Sequence, residues 1–251
     1  PPSFVDVVFV ADRSGSMVSM GNGLVKGAQK FIETHATLAG DSDSYNLRVV
    51  SFDHSSTQIY NGNATEFFKN PSNSSALIEG LRPRGTTRLY DTILEEVEKQ
   101  AIRVNAFKKS LSPAVKALDP RIVVIFAVLT DGEDNVSIAN SLTVRDSIKK
   151  HIREFDATCQ FIAANQDANY VGTKMGIPVE TCLQMDPDPQ HAAAAMDSVA
   201  FSCVRTISGE SPEFSQIERT SSARYVSPSW QPSFPNVAED DDDEDSQLCR
   251  M

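Results

Sequence analysis

The feature of this sequence that most constrains its fold is an uncharged apolar run, Val7 to Ala11, that ends in Asp12. A strand with apolar residues at consecutive positions, and not only at alternate ones, is typical of the buried centre of a parallel sheet. The turn after it places Asp12, Ser14 and Ser16 at the carboxyl end of the strand, where open α/β sheets bind ligands. One carboxylate and two hydroxyls suit a hard divalent cation, although Asp and Ser are also favoured N-cap residues of helices.

Two later segments carry further oxygen donors in matching contexts. Gly85 to Asp91 contains adjacent threonines and opens a predicted helix, and Val123 to Gly132 is a second buried-strand pattern that ends in Thr-Asp-Gly. In this order the three segments resemble the metal-ion-dependent adhesion site of von Willebrand factor A-type domains, whose signature is D-x-S-x-S, a distant Thr and a distant Asp. The resemblance is nearest to bacterial and phage-like intracellular members of that family.

The resemblance implies a set of ligands and a mode of action. A leucine two residues beyond Thr87 and an acid four residues beyond it identify Thr87, and not Thr86, as the matching threonine. A divalent cation, Mg²⁺ in preference to Mn²⁺ or Ca²⁺, would be completed by a Glu or Asp from a partner protein, and binding would be lost with a chelator. The metal ligands that the resemblance implies are Asp12, Ser14, Ser16, Thr87 and Asp131.

The order of strand and helix patterns predicts the fold class. The two patterns alternate from residue 4 to residue 207, which favours a doubly wound α/β sheet, mostly parallel, with helices on both faces. Residues 57–60 are expected to add one antiparallel edge strand. The von Willebrand factor A-type fold that the motifs imply belongs to the same class.

The composition of the chain changes after residue 209. We interpret residues 1–209 as one domain and residues 210–251 as a flexible tail, which is rich in Ser and Pro and contains the acidic run Glu239 to Asp245. The tail carries aromatic residues that form either a short docking motif or part of the domain surface; these are Tyr225, Trp230 and Phe234.

Charge and cysteine content limit the classes of partner. The formal net charge is -11, and binding to nucleic acid or to an anionic membrane needs a basic face, so neither is expected. No apolar run reaches the roughly 18 residues of a transmembrane helix. The 4 cysteines are widely spaced and form no zinc motif, which indicates reduced thiols and a cytoplasmic protein. Secretion stays open because the sequence does not begin with Met.

Other functions remain open at this stage. A metal-dependent phosphohydrolase would need a general base beside the ion, for which His54 is the candidate, and a scaffold with a purely structural metal is a further alternative. No nucleophile-elbow or phosphate-loop motif is present, so no enzyme activity is expected. Glu133 and Asp134 either rim the site or lie in a solvated loop. Asn165 and Gln166 are expected to fix the neighbouring loop by hydrogen bonds, with ligand contact as the alternative.

Overall fold

The protein is built on one central sheet. A computed structural model describes residues 2–40 and 42–224 of the chain. The strands are β1 Phe4–Asp12, β2 Tyr45–Phe52, β3 Ser56–Gly62, β4 Ile122–Thr130, β5 Thr158–Ala163 and β6 Cys182–Gln184. They form a 6-stranded sheet in the order β3-β2-β1-β4-β5-β6. Among the strands of residues 2–40 and 42–224, only β2 and β3 pair antiparallel, which confirms the expected edge strand and the predicted α/β class.

Helices follow most of the strands and cover both faces of the sheet. They are α1 Gly23–Ala39, α2 Pro71–Gly80, α3 Leu89–Ser110, α4 Pro113–Lys116, α5 Ser141–Phe155, α6 Ala168–Lys174, α7 Pro189–Ser208 and α8 Gln216–Ser222. Short 3₁₀ turns occupy Gly15–Met20, Ala64–Glu66 and Val179–Thr181. Among the described residues, no helix combines the length and the apolarity that crossing a bilayer requires.

Strand β1 faces a hydrophobic core on each side, which explains its uninterrupted apolar run. Val7 and Phe9 belong to the core under α1 and α7, whereas Val8 and Val10 belong to the core under α3 and α5. Because side chains alternate across a strand, burial on both faces requires an apolar residue at every position. The carboxyl end of β1 is therefore held from two sides.

Helices α1 and α7 approach each other closely at two glycines. An added Cβ at Gly23 would lie 2.1 Å from the backbone oxygen of Pro189, and one at Gly27 would lie 2.6 Å from Cβ of Met196. Neither distance is compatible with a side chain, so this contact requires glycine at both positions. The packing brings the N-terminus of α7 against the segment that follows β1.

The folded unit extends beyond the boundary expected at residue 209. Phe214 and Ala223 are buried, and the buried guanidinium of Arg219 donates to the backbone oxygens of Cys182 and Glu180 at 2.8 and 2.9 Å. The expectation of a flexible tail from residue 210 is thus wrong for residues 210–224, because α8 covers the open edge of β6. The rest of the predicted tail lies outside the described residues.

Candidate metal centre

Asp12 is fixed at the point where the two central strands end side by side. Ala11 of β1 is paired with Leu129 of β4, which brings Asp12 next to Thr130. The hydroxyl of Thr130 lies 2.6 Å from Oδ2 of Asp12, and the backbone N–H of Ser14 donates to Oδ1 of Asp12 at 2.6 Å. Both carboxylate oxygens therefore have a partner, and the carboxylate has one orientation.

The two serines connect this loop to the end of β4. Ser14 Oγ and Ser16 Oγ lie 3.1 Å apart, and Ser16 Oγ donates to Oδ1 of Asp131 at 2.7 Å. Asp131 is the first residue after β4, as the sequence analysis expected for a residue at this edge. The structure thus brings together four of the five residues that the resemblance implied: Asp12, Ser14, Ser16 and Asp131.

Thr87 reaches the same place through Gly132. An added Cβ at Gly132 would lie 3.6 Å from Oγ1 of Thr87 and 3.8 Å from Oγ of Ser16. The hydroxyls of Thr87 and Ser16 therefore lie on the same side of Gly132. Thr87 is buried, whereas Thr86 is exposed to solvent.

The loop that carries Thr87 is tied to the loop that carries the serines. The backbone N–H of Gly15 donates to the oxygen of Gly85 at 3.2 Å, and that of Arg84 donates to the oxygen of Arg13 at 2.6 Å. Gly85 has a φ of 74°, a left-handed conformation that favours glycine. These backbone bonds set the distance between the serine hydroxyls and Thr87.

The segment after Asp131 holds the start of α3, a role that the sequence analysis missed. Asn135 Oδ1 accepts from the backbone N–H of Thr87 at 3.0 Å, and the backbone N–H of Asn135 donates to the oxygen of Thr87 at 3.1 Å. Oδ2 of Asp134 accepts from the N–H of Tyr90 at 2.9 Å. Asp134 is therefore partly buried and is hydrogen-bonded to the start of α3. Sequence alone offered no signal for these pairings, because they join positions far apart in the chain.

Asn165 and Gln166 have the structural role that the sequence analysis gave them. Asn165 Nδ2 donates to the backbone oxygen of Asp131 at 3.3 Å, and Gln166 Nε2 donates to that of Gly132 at 3.1 Å. Both side chains come from the loop after β5. They fix the backbone of Asp131 and Gly132, and with it the position of the Asp131 carboxylate.

Burial sets the protonation of the two carboxylates. Desolvation raises the pKa of Asp12 to about 6, although hydrogen bonds from Thr130 and Ser14 act in the opposite direction. Burial likewise raises the pKa of Asp131 above its ordinary value. Oδ2 of Asp131 is buried, and no group of the described residues donates a hydrogen bond to it. A buried carboxylate oxygen without a donor is costly unless a cation accompanies it.

The residues present fit a hard divalent cation. Two carboxylates and three hydroxyls are oxygen donors of the kind that Mg²⁺, Mn²⁺ and Ca²⁺ prefer, and they come from three separate loops at one edge of the sheet. The unpartnered oxygen of Asp131 adds an acceptor that a cation would satisfy. The five residues are Asp12, Ser14, Ser16, Thr87 and Asp131.

A cluster of positive charge lies beside these loops. Oδ2 of the buried Asp53 accepts from Nε of Arg13 at 3.0 Å and from Nε of Arg84 at 3.2 Å. His54 Nδ1 lies 3.1 Å from Oδ1 of the same carboxylate. We call Arg13, Asp53, His54 and Arg84 the positive cluster, because one carboxylate faces two guanidinium groups. His54, the candidate general base, is thus paired with Asp53, and its side chain is 70% exposed.

A second group of potential metal ligands lies near the start of α7. Asp186, Asp188 and His191 each offer one donor atom, and these atoms lie within 4.8 Å of one another. Asp188 caps α7 through the backbone N–H groups of Gln190 and His191, and His191 Nδ1 lies 2.6 Å from its other oxygen. The backbone N–H of Arg224 donates to Asp186 at 3.1 Å. Hydrogen bonds within the protein thus account for these three side chains, and Asp188 acts as the N-cap of α7.

Comparison with known proteins rests on structure. No protein-family model matches the sequence, and no curated protein matches it. The pilus adhesin SpaC from Lactobacillus rhamnosus GG, in an open conformation, aligns with 80% of this chain and 30% of its own at 15% identity, with a TM-score of 0.53. The minor pilin PilB from Streptococcus sanguinis aligns with 81% of this chain and 62% of its own at 14% identity, with a TM-score of 0.52.

A third neighbour is relevant to the site. Proximal thread matrix protein 1 from the mussel byssus, in a structure with a zinc-occupied metal-ion-dependent adhesion motif, aligns with 79% of this chain and 45% of its own. The identity is 14% and the TM-score 0.52. The chain spans less than two thirds of the length of each of these three structures. At such identities the likeness shows the fold alone.

Proposed function

We propose that this chain, which has the fold of a von Willebrand factor A-type domain, is a protein-binding module that acts through a divalent cation at the carboxyl edge of its sheet. The observation that carries the proposal is the convergence of oxygen donors from three loops around Asp131, whose Oδ2 has no donor. The proposed ligands are Asp12, Ser14, Ser16, Thr87 and Asp131.

The charge of the donor set supports partner binding. At most two formal negative charges, those of Asp12 and Asp131, would surround a doubly charged ion, and the remaining donors are neutral hydroxyls. Such an ion stays electrophilic and favours a further carboxylate, which a Glu or Asp of a partner would supply. The structural neighbours include an adhesin and a protein with a zinc-occupied adhesion motif, and both support the same proposal for this chain.

Mg²⁺ is the proposed physiological ion. It prefers octahedral coordination by about six oxygens and commonly keeps some of its waters. The oxygens of Asp12 already accept from Ser14 and Thr130, so we expect that carboxylate to act in part through water. The cytoplasmic location expected from the cysteines stays a prediction.

The test compares wild-type protein with the double variant Ser14→Ala/Ser16→Ala, each in Mg²⁺ and in chelator. We expect calorimetry to show one Mg²⁺ site in the wild type and none in the variant. Proteins captured by the wild type in Mg²⁺, identified by mass spectrometry, should be absent with chelator and with the variant.

Two outcomes would contradict the proposal. If Mg²⁺ raises the melting temperature but capture does not depend on it, the ion is only structural. If wild-type protein hydrolyses a generic phosphate ester and the Asp12→Asn variant does not, the protein is a phosphohydrolase. Thr86→Ala, at the exposed neighbour of Thr87, is a matched control that should leave ion binding unchanged.

A further inference from the structure

Exposed apolar side chains lie on three segments that follow strands at the carboxyl edge of the sheet. Val18 is 71% exposed in the turn that follows Ser16, and Ile138 is 98% exposed in the loop that follows Asp131. Tyr170, in the first turn of α6 after β5, is also exposed. We call Val18, Ile138 and Tyr170 the apolar rim. Single exposed apolar residues are ordinary, but their position on three segments at the same edge of the sheet indicates a surface that is covered in use.

The positive cluster adjoins the same edge. Arg84 is bonded through its backbone to Arg13 in the serine loop, and its side chain is 55% exposed. The single carboxylate of Asp53 cannot neutralise both guanidinium groups, so the positive cluster carries a net positive charge. The edge therefore favours an occupant that combines apolar side chains with several carboxylates.

The described chain ends at that edge of the sheet. Arg224 donates its backbone N–H to Asp186, which lies just beyond the carboxyl end of β6. Asp188 precedes Pro189 at the start of α7, and Pro189 Cγ would lie 3.1 Å from a Cβ at Gly21, in the turn after the serine loop. The chain therefore leaves the domain close to the segment that carries Ser14 and Ser16.

The length of the following segment allows it to reach the site. Strands β1 and β6 are three positions apart in the sheet, which corresponds to about 14 Å at the usual strand spacing. The chain from Arg224 to Glu239 can span up to about 50 Å when fully extended. The acidic run Glu239 to Asp245 is thus within reach of the proposed ion in the same molecule.

The sequence of that segment has the chemistry that the edge favours. Trp230, Phe234 and Val237 are apolar and stand directly before seven consecutive carboxylates, Glu239 to Asp245. The apolar residues match the apolar rim, and the carboxylates match the positive cluster and the open position of a cation. No other stretch of the sequence combines apolar residues with a run of seven acids.

We propose that residues 230–245 of this chain occupy its own metal edge, with the aromatic residues against the apolar rim and one carboxylate of the acidic run at the cation. This inference rests on the proposed function, because it assigns the first occupant of the same site. An outside partner then competes with a ligand that is permanently tethered. Tethering by a short segment gives an effective concentration in the millimolar range, so a partner with one acidic residue binds far more weakly to the whole chain than to an open site.

The test uses Mn²⁺ as the probe and the full chain labelled for NMR. A paramagnetic ion at the site broadens nearby amide signals, so those of Gly15 and Gly132 report whether the ion is bound at all. We expect the amides of residues 230–245 to broaden as well. In a variant with every acid from Glu239 to Asp245 changed to its amide, Gly15 and Gly132 should still broaden, and residues 230–245 should broaden much less.

Other results of this experiment would contradict either the inference or the proposed function. Broadening of residues 230–245 that is the same in the wild type and the amide variant overturns the inference, while broadening of Gly15 and Gly132 leaves the proposed function intact. If Gly15 and Gly132 do not respond, the proposed metal site itself is wrong. Broadening of the acidic run in Ser14→Ala/Ser16→Ala shows that the run binds Mn²⁺ by itself, which also overturns the inference.

Two further measurements distinguish binding of the segment within one molecule from binding to a second copy. They also test whether the segment competes with another acidic ligand. Labelled Ser14→Ala/Ser16→Ala chain is mixed with unlabelled wild type and Mn²⁺; broadening of its acidic run would place the segment on another molecule and overturn the inference. A fluorescent peptide of residues 228–247 is then titrated with each protein in Mg²⁺. We expect at least tenfold tighter binding to the amide variant than to the wild type, and equal affinities would overturn the inference.

Discussion

Ser16 Oγ donates a hydrogen bond of 2.7 Å to Oδ1 of Asp131, a residue 115 positions further along the chain. The bond joins the ends of the two central strands and defines one side of the proposed metal site. The other oxygen of Asp131 is buried without a donor. The carboxylate is therefore held in place by one oxygen and is left with the other to bind a cation.

Thr87→Ala should weaken Mg²⁺ binding by about tenfold or more, which corresponds to about 1.4 kcal/mol. The hydroxyl of Thr87 lies on the same side of Gly132 as that of Ser16, so its loss removes one oxygen donor. Thr86→Ala should leave the affinity unchanged, because Thr86 is exposed. Isothermal titration calorimetry measures both, and equal losses in the two variants would contradict the assignment.

Gly23→Ala should lower the free energy of unfolding by about 2 kcal/mol, as expected for overpacking. The new Cβ would lie 2.1 Å from the backbone oxygen of Pro189, and neither helix can yield without shifting the other. Gly80→Ala is the matched control at a helix end. Its Cβ would meet Cδ1 and Cγ1 of Ile59 at 2.7 Å, and because these are side-chain and not backbone atoms, the loss should be smaller. Urea unfolding monitored by circular dichroism measures both.

His35 makes stability depend on pH. It is fully buried, and burial lowers its pKa to about 3, below the ordinary value of 6.5. The unfolded chain therefore binds the proton more readily, so the stabilisation is complete above pH 6.5 and is lost as the pH falls towards 3. At pH 5 the free energy of unfolding should have dropped by about 2 kcal/mol through this residue.

The variant His35→Gln isolates that effect. The carboxyl groups and His151 titrate alike in both proteins, so the difference between the two pH profiles belongs to His35. We expect the profile of the variant to be flatter between pH 6.5 and 5, measured by urea unfolding at each pH. Parallel profiles would show that His35 accepts a proton in the folded state.

Removal of residues 210–224 should destabilise the domain. The segment buries Phe214 and places the guanidinium of Arg219 against backbone oxygens of Cys182 and Glu180. Loss of one buried aromatic side chain alone costs about 3 kcal/mol. Chains that end at Gly209 and at Arg224 are compared by thermal melting, and equal melting temperatures would contradict a structural role for α8.

The sequence predicted the class of the fold because the central strands are buried on both faces. The apolar run before Asp12 and the one before Asp131 identified β1 and β4, whose ends lie at the edge where the proposed ligands meet. The order of donors favoured Thr87, whose role as a ligand stays a prediction. Patterns of this kind are local, and the fold brings their ends together by the rules of parallel sheets.

What the sequence did not predict depends on contacts between distant positions. Asp6 is buried within β1 and paired with Arg103 of α3 at 2.8 Å, although a charge in a central strand usually argues against full burial. The packing of Arg219 under β6 was missed for the same reason, since a Ser- and Glu-rich segment has the composition of an exposed one. Asn135 likewise gained its role only through the distant backbone of Thr87.

Asp53 links two loops without being a proposed ligand itself. Its Oδ2 accepts from Arg13 of the serine loop and from Arg84 of the threonine loop, and its backbone oxygen accepts from the N–H of Arg88 at 2.8 Å. Asp53, at the end of a neighbouring strand, thus adds to the backbone bonds that fix the gap between the serine hydroxyls and Thr87. If the proposed site binds an ion, the ionic radius that it accepts would be adjustable by exchanging Asp53, which is not one of the proposed ligands.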